Sequence, residues 1–136
     1  MDRADFLRLV GAGVGVAVLG PCLQGCRKQQ DAPHLNVDFT LDLTQSGNQA
    51  LTANGGYLVT QGVIVARTLD GNYIAVAAAC THQGVTVQYQ ASSHRFHCNG
   101  HGANFSESGV VQNGPATTDL QRMNTSLEGQ ALRVWS

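Results

Sequence analysis

Charged residues are scarce in this 136-residue sequence: eight Lys and Arg and nine Asp and Glu residues make up 12% of it and give a net charge of -1. A protein that binds a polyanion needs a basic surface, so we expect no nucleic-acid partner. The acidic residues are scattered and offer no pair for general acid and base catalysis. Repeats, coiled-coil heptads and low-complexity segments are also missing, and the length leaves room for one domain.

A hydrophobic run long enough to span a membrane is missing too. The apolar stretch from Leu9 to Leu19 is shorter than the ~20 residues of a spanning helix. It follows two arginines and precedes polar residues from Arg27 to Asp31, which predicts an export signal rather than an uncleaved anchor. The segment "RADFLR" resembles a twin-arginine signal in which Ala4 replaces the second arginine, so the export route stays open.

The end of this segment, "LQGC", resembles the lipobox of bacterial lipoproteins. The resemblance implies that Cys26 is lipidated and becomes the first residue of the mature protein, on the periplasmic side of a bacterial membrane. A simple cleaved signal, or a disulfide between Cys22 and Cys26, is the alternative. We therefore divide the chain into a signal at residues 1–26, a linker at 27–34 and a domain at 35–136.

Sixteen glycines and many Val, Thr, Gln and Asn residues predict short strands joined by turns. Apolar and polar residues alternate from Leu35 to Leu43, the period-two pattern of a strand with one buried face. A turn-rich connection, "TQSGNQALTANGG", follows. Further strands are predicted for "YLVT", "VIVART", "YIAVAAA", "VTVQYQ", "RFHC", "ANFS", "VVQ", "LQRMNTSL" and "ALRVW". The predicted fold class is all-β, an antiparallel β-sandwich or small barrel whose loops carry the functional site.

Two short boxes combine cysteine with histidine: Cys80-x-His82 in "CTHQG" and Cys98-x-x-His101 in "CNGHG". Two thiolates and two imidazoles suit zinc or an iron-sulfur cluster, and not calcium or magnesium. Zinc fingers usually pair cysteine with cysteine and histidine with histidine, whereas each box here mixes the two. A mixed box suits a 2Fe-2S cluster with unlike irons, one bound by the cysteines and one by the histidines. A structural zinc site is the alternative.

The two boxes resemble those of the Rieske 2Fe-2S iron-sulfur proteins, C-x-H-x-G and C-x-x-H-G. Downstream, "FSESGVVQNGPAT" is similar to that family's strand, turn and proline loop. The resemblance implies a Rieske-type fold with one cluster per chain. Cys80 and Cys98 would bind a buried iron, and His82 and His101 an outer iron near the surface. It also implies one-electron transfer to a docked partner, coupled to proton uptake at raised pH.

The sequence departs from the Rieske subunits of cytochrome bc-type complexes at four positions. Val85 and Gly100 stand where those subunits have the cysteines of a disulfide between the boxes. Ala103 and Phe105 stand where a serine and a tyrosine hydroxyl commonly bond the cluster and its cysteine sulfur. Fewer hydrogen bonds predict a reduction potential in the lower or middle part of the Rieske range, which spans roughly -150 to +300 mV.

These features predict an exported, lipid-anchored electron carrier, or a non-catalytic subunit of a larger oxidoreductase resembling quinol-cytochrome c reductase or arsenite oxidase. The expected partners are redox proteins, either a cytochrome or a larger oxidoreductase subunit, and the membrane through a lipid or the N-terminal segment. The ferredoxin component of an oxygenase system is one alternative function. A structural zinc module is the non-redox alternative. No catalytic residue is predicted outside the cluster loops.

Overall fold

The computed structural model describes residues 34–81, 84–100 and 102–136. In these ranges the chain forms two short 3-10 helices, Ser46–Thr52 and Ala91–Ser93. It also forms ten strands: Asp38–Asp42 (β1), Tyr57–Thr60 (β2), Val63–Arg67 (β3), Tyr73–Ala77 (β4), Gln88–Gln90 (β5), Arg95–His97 (β6), Asn104–Ser106 (β7), Val111–Asn113 (β8), Arg122–Glu128 (β9) and Ala131–Trp135 (β10). None of the helical turns in the described ranges has the length and apolar character needed to cross a membrane.

The ten strands form two antiparallel sheets. One sheet has six strands in the order β1-β10-β9-β4-β3-β2, and the other has four strands in the order β5-β6-β7-β8. The four-stranded sheet lies in the chain between β4 and β9, which pair with each other in the six-stranded sheet. The predicted all-β antiparallel fold is therefore confirmed.

The alternating apolar residues from Leu35 to Leu43 are more buried than the residues between them, as the period-two pattern predicts. Leu35, Val37, Phe39 and Leu41 are half-buried and the intervening residues are exposed, while Leu43 is buried. The strand itself is shorter than the pattern, and its five residues pair in register with β10. The turn-rich connection after it contains the first 3-10 helix, which buries one residue, Leu51.

Strand β3 is buried on both faces and separates two hydrophobic cores. Its alternate residues Val63 and Val65 belong to the first core, and Ile64 and Ala66 belong to the second. The first, which we call the base core, contains Leu43, Leu51, Val63, Val65, Ala75, Met123, Leu132 and Val134. The second, the cysteine core, contains Ile64, Ala66, Val76, Ala78, Cys80, Val87, Tyr89, Phe96, Cys98, Ala103, Phe105, Ala116 and Leu120. Each large aliphatic side chain buried this way contributes about 1.5 to 3 kcal/mol.

Candidate metal centre

The two box cysteines lie in the same core. Cys80 follows β4 and Cys98 directly follows β6, and each is only 2% exposed. The hairpin of β5 and β6 joins them, so residues 18 positions apart in sequence share one set of buried neighbours. The prediction that the hairpin carries both boxes to one neighbourhood is confirmed for the cysteines. His82 and His101 lie outside the described residues, as do Cys22 and Cys26.

The two box loops have the same backbone hydrogen bonds. In the first loop, residues 80–85, the Cys80 N-H donates to Val85 O at 2.7 Å and the Gly84 N-H donates to Cys80 O at 2.7 Å. In the second loop, residues 98–103, the Cys98 N-H donates to Ala103 O at 2.9 Å and the Gly102 N-H to Cys98 O at 3.0 Å. Each cysteine is thus fixed at the base of its loop by its own N-H and C=O.

Glycine is required at the fourth position after each cysteine. Gly84 has a φ of 74° and Gly102 a φ of 77°, in the left-handed region that side chains disfavour. A Cβ at either position would have nothing within 4 Å, so the constraint is conformational rather than steric. This explains why both boxes contain a glycine at this spacing.

The loops come close to each other at the positions where bc-type subunits have a disulfide. A Cβ placed on Gly100 would lie 3.8 Å from the Cβ of Val85, 3.2 Å from its Cγ2 and 3.7 Å from the Cys98 Sγ. Val85 is 36% exposed, so this close approach lies near the surface. Valine and glycine have no sulfur and cannot form a bridge here.

A segment downstream, residues 113–118, bonds to both loops through side chains. The Thr81 hydroxyl donates to Thr118 O at 2.7 Å, and the Asn113 amide donates to Gly102 O at 3.0 Å. Asn113 is oriented in turn by Asn104, whose amide donates to the Asn113 Oδ1 at 2.8 Å. The sequence predicts no role for these residues, because threonine and asparagine in loops carry no periodic or metal-binding signal.

The far side of the cysteine core has a polar contact of its own. The Tyr89 hydroxyl, in a residue only 5% exposed, donates to the Glu107 Oε2, while His94 Nδ1 lies 3.6 Å from Glu107 Oε1. Burial raises the pKa of Tyr89 above its ordinary value, and the hydrogen bond to Glu107 and the negative charges of Glu107 and Asp70 raise it further. Tyr89 is therefore a neutral, bonded member of the core.

The two positions predicted to tune the cluster are fully buried. Ala103 and Phe105 are each 0% exposed and both belong to the cysteine core. Neither side chain has a hydrogen-bond donor. The apolar surroundings of the cysteines are therefore without a hydroxyl at these two places.

The described part of the site fits an iron-sulfur cluster. Two buried cysteine side chains at the bases of two matching loops, in an apolar core, offer the soft donors and the low dielectric that such a cluster needs. Within ranges 34–81, 84–100 and 102–136, no three His, Cys, Asp or Glu side chains converge on one point. The box histidines, which would complete the set, are not in those ranges.

Residues 39–124, more than half of the chain, match the family model described as the Rieske [2Fe-2S] domain. The chain belongs to the Rieske family. A Rieske domain binds a 2Fe-2S cluster and transfers electrons, so the predicted family, cofactor and general role are confirmed.

Relatives of this Rieske chain include the cytochrome b6-f complex iron-sulfur subunit of Synechococcus sp. strain JA-3-3Ab. It is 32% identical, over 98% of this chain and 86% of the relative. Other cyanobacterial subunits of that description match over 86 residues, so the chain spans about half of their length, 46%.

Among solved structures, the plasma membrane Rieske protein of Synechocystis is 29% identical, with a TM-score of 0.53, over 76% of this chain and 100% of that one. The ferredoxin of carbazole 1,9a-dioxygenase from Nocardioides aromaticivorans is 20% identical, with a TM-score of 0.52, over 61% of this chain and 86% of that one. The second likeness shows the shared fold alone.

Proposed function

We propose that this protein carries single electrons between redox proteins at the cell envelope, through a cluster bound by Cys80, His82, Cys98 and His101. One observation supports the proposal most strongly. The two cysteines of the boxes are buried in one core, at equivalent positions of two loops with the same hydrogen bonds. Each box adds one histidine to its cysteine, which gives the two-sulfur, two-nitrogen set of a Rieske centre.

The protein's own residues have distinct tasks in this scheme. When bound, the 2Fe-2S cluster supplies reversible one-electron chemistry at unlike irons. Cys80 and Cys98 would hold it from the buried side, where Phe96, Phe105 and their neighbours exclude water. His82 and His101, one from each loop, would hold it from the other side and present imidazole rings to the docked partner.

Removal of a box histidine tests this ligand set. Replacing His82 with alanine should abolish cluster binding, because three ligands leave one iron open. Replacing His94 with alanine is the matched control, since its ring contacts Glu107 and lies in neither box. Iron analysis of the purified full chain decides the outcome, and a His82→Ala protein that keeps its full iron content would contradict the assignment.

The reduction potential should lie in the lower or middle part of the Rieske range. Ala103 and Phe105 are buried in the core of the cysteines and have no hydroxyl to stabilise the added electron. Replacing Ala103 with serine should raise the midpoint potential in a redox titration. Ala116→Ser, the same change at another buried position of this core, is the control. A wild-type potential at the top of the range would overturn this part of the proposal.

The N-terminal sequence and the relatives support the proposed location and partners. An export signal ending at Cys26 would tether the domain to the outer side of a membrane by lipid. The Synechococcus relative is described as a subunit of a cytochrome complex, and the Synechocystis protein as a plasma membrane protein, which supports a membrane-side role with redox partners. Labelled fatty acid should appear in the wild-type protein and not in the Cys26→Ser variant. A cytochrome or larger oxidoreductase subunit should co-purify with the tagged chain.

A further inference from the structure

Three asparagines of this chain directly precede a glycine, at residues 54–55, 99–100 and 113–114. Such a pair is chemically labile, because the backbone nitrogen after an asparagine can attack its side-chain amide carbon and glycine has no side chain to hinder the attack. The other asparagines precede Val37, Gln49, Tyr73, Phe105 and Thr125, whose side chains crowd the attacking nitrogen. Spontaneous loss of the side-chain amide is therefore expected at the three Asn-Gly pairs first.

The fold decides which of the three pairs can react. The attack requires that the asparagine side chain turns its amide carbon toward the nitrogen of the following glycine. A hydrogen bond made by the side-chain amide or by the glycine N-H must break before this happens. One hydrogen bond of about 1 kcal/mol corresponds to a reaction about fivefold slower.

Hydrogen bonds hold both reacting groups of the first pair. The Asn54 side-chain amide donates to Leu69 O at 3.1 Å. The Gly55 N-H donates to Arg67 O at 2.7 Å, and Gly55 is half-buried. Both bonds must break before the Gly55 nitrogen can reach the Asn54 side chain. This pair is therefore protected.

The third pair is held through its side chain. The Asn113 Oδ1 accepts from the Asn104 amide at 2.8 Å, and the Asn113 Nδ2 donates to Gly102 O at 3.0 Å. The amide is thus bonded at its oxygen and at its nitrogen, and it cannot turn toward the Gly114 nitrogen without losing these bonds. This pair is protected as well.

The second pair has neither kind of protection. Asn99 and Gly100 are both exposed and form the turn that follows Cys98 in the second box loop. Among residues 34–81, 84–100 and 102–136, no group bonds the Asn99 side chain, and none accepts from the Gly100 N-H. The side chain can therefore rotate toward the Gly100 nitrogen at no cost in hydrogen bonds.

We propose that Asn99 and Gly100 form a modification site, at which the folded protein deamidates spontaneously with water as the only co-reactant. The Gly100 nitrogen loses its proton and bonds to the Asn99 Cγ, and the Asn99 Nδ2 leaves as ammonia. Water then opens the resulting five-membered succinimide. Opening at Cγ gives aspartate, and opening at the backbone carbonyl carbon gives isoaspartate.

Either product changes the loop that carries Cys98. Both products place a carboxylate where the amide was, and isoaspartate also lengthens the main chain of the loop by one carbon. A negative charge beside the cluster opposes an added electron, so the reduction potential should fall as the protein ages. This redox consequence rests on the proposed ligand set, whereas the modification itself does not.

The reaction can be followed by mass spectrometry of the full-length protein. Samples of folded protein and of protein unfolded in denaturant are aged in mildly alkaline buffer and digested, and fragment ions locate the mass gain of about 1 Da. Without the fold, the three pairs should react at equal rates. In the folded protein, Asn99 should react at least about fivefold faster than Asn54 and Asn113. Equal rates at the three pairs in the folded protein would overturn the proposal.

Variants test the effect on the cluster. Asn99→Gln keeps an amide but removes the Asn-Gly pair, so its midpoint potential should stay constant during ageing while that of wild type falls. Asn99→Asp places the product's charge in the loop from the start and should lower the potential. Asn72→Asp adds the same charge at an exposed asparagine, before β4 and thus at the other end of that strand from Cys80, and is the control.

The outcomes separate the modification from the ligand assignment. An Asn99→Asp potential equal to that of wild type would overturn the redox consequence. A wild-type protein that never acquires a Rieske cluster would overturn the ligand assignment. In either case the rates at Asn54, Asn99 and Asn113 still decide the modification site, because that measurement does not need the cluster.

Discussion

Two parts of the described chain are stabilised in different ways. The base half is the six-stranded sheet with the base core. The cysteine half is the four-stranded sheet with the cysteine core and the two box loops. In the base half, β1, β9, β10, β3 and β4 pair over up to five residues in continuous register. In the cysteine half the strands are three residues long, and β7 meets β8 with a register shift. The base half combines longer ladders with a core that includes large aliphatic side chains, whereas the cysteine half combines short ladders with a core that contains Phe96 and Phe105 beside the two cysteines. Because the box residues lie only in the cysteine half, we expect that cluster binding and the stability of the base half can be disturbed separately.

The largest expected effect is loss of the cluster with the base half intact. Replacing Cys98 with alanine removes a buried thiol that we propose as a ligand, so iron content should fall from two atoms per chain to almost none. Far-ultraviolet circular dichroism should still show β structure, because the base half does not contain the ligand. Cys22→Ala, a cysteine outside both boxes, should keep its iron. A Cys98→Ala protein with full iron content would refute the site.

A cavity in the base half should have the opposite result, with lower stability and an unchanged cluster. Leu132 is fully buried on β10, and replacing it with alanine should lower the free energy of unfolding by about 2 to 5 kcal/mol. The folded fraction should keep the wild-type EPR spectrum. Leu127, its cross-strand neighbour, is 47% exposed and provides the control, with a much smaller expected loss. Denaturant unfolding measures both, and a changed EPR spectrum in Leu132→Ala would show that the halves are coupled.

A disulfide between the two box loops should make the cysteine half more stable. The Cβ separation of 3.8 Å between positions 85 and 100 matches that of a disulfide, so the double change Val85→Cys and Gly100→Cys should give a bond. Because the disulfide closes a loop of ~15 residues, it should raise the free energy of unfolding by about 3 kcal/mol. Mass spectrometry with and without reductant detects the bond. Two thiols that stay reduced under oxidising conditions would contradict the observed proximity of the loops.

A smaller effect is expected from the hydroxyl of Tyr89. The Tyr89 hydroxyl donates to a carboxylate, and Tyr89→Phe loses this bond. The change should therefore lower the free energy of unfolding by about 1.5 kcal/mol at pH 7. The pKa of Tyr89 is raised in the folded state, so its contribution is complete below the unfolded pKa of about 10 and is lost as pH rises further. The stability difference between wild type and Tyr89→Phe should therefore shrink above pH 10. Tyr73→Phe removes a bond to the Leu51 carbonyl and is the control, and a difference that grew with pH would contradict the raised pKa.

Much of the fold and of the site could be predicted because the signals are local. The strands at "YLVT" and "ALRVW" occur at the predicted residues, since short runs of aromatic and aliphatic residues bounded by turn residues favour strands. The box cysteines were proposed as ligands from the residue types and spacing of the boxes and from the resemblance to the Rieske family, and the glycines beside them were expected in tight loops. The first 3-10 helix was not predicted, because its turn-forming residues fit several conformations. The bonds of Thr81 to Thr118 and of Asn104 to Asn113 were not predicted either, since they depend on how segments distant in sequence meet.

The central claim is that these boxes hold a Rieske 2Fe-2S cluster in this chain. The most direct test is the EPR spectrum of the purified full-length protein after reduction, with iron counted in the same sample. We predict a Rieske-type signal and two irons per chain. A colourless protein that contains zinc and gives no such signal would contradict the account.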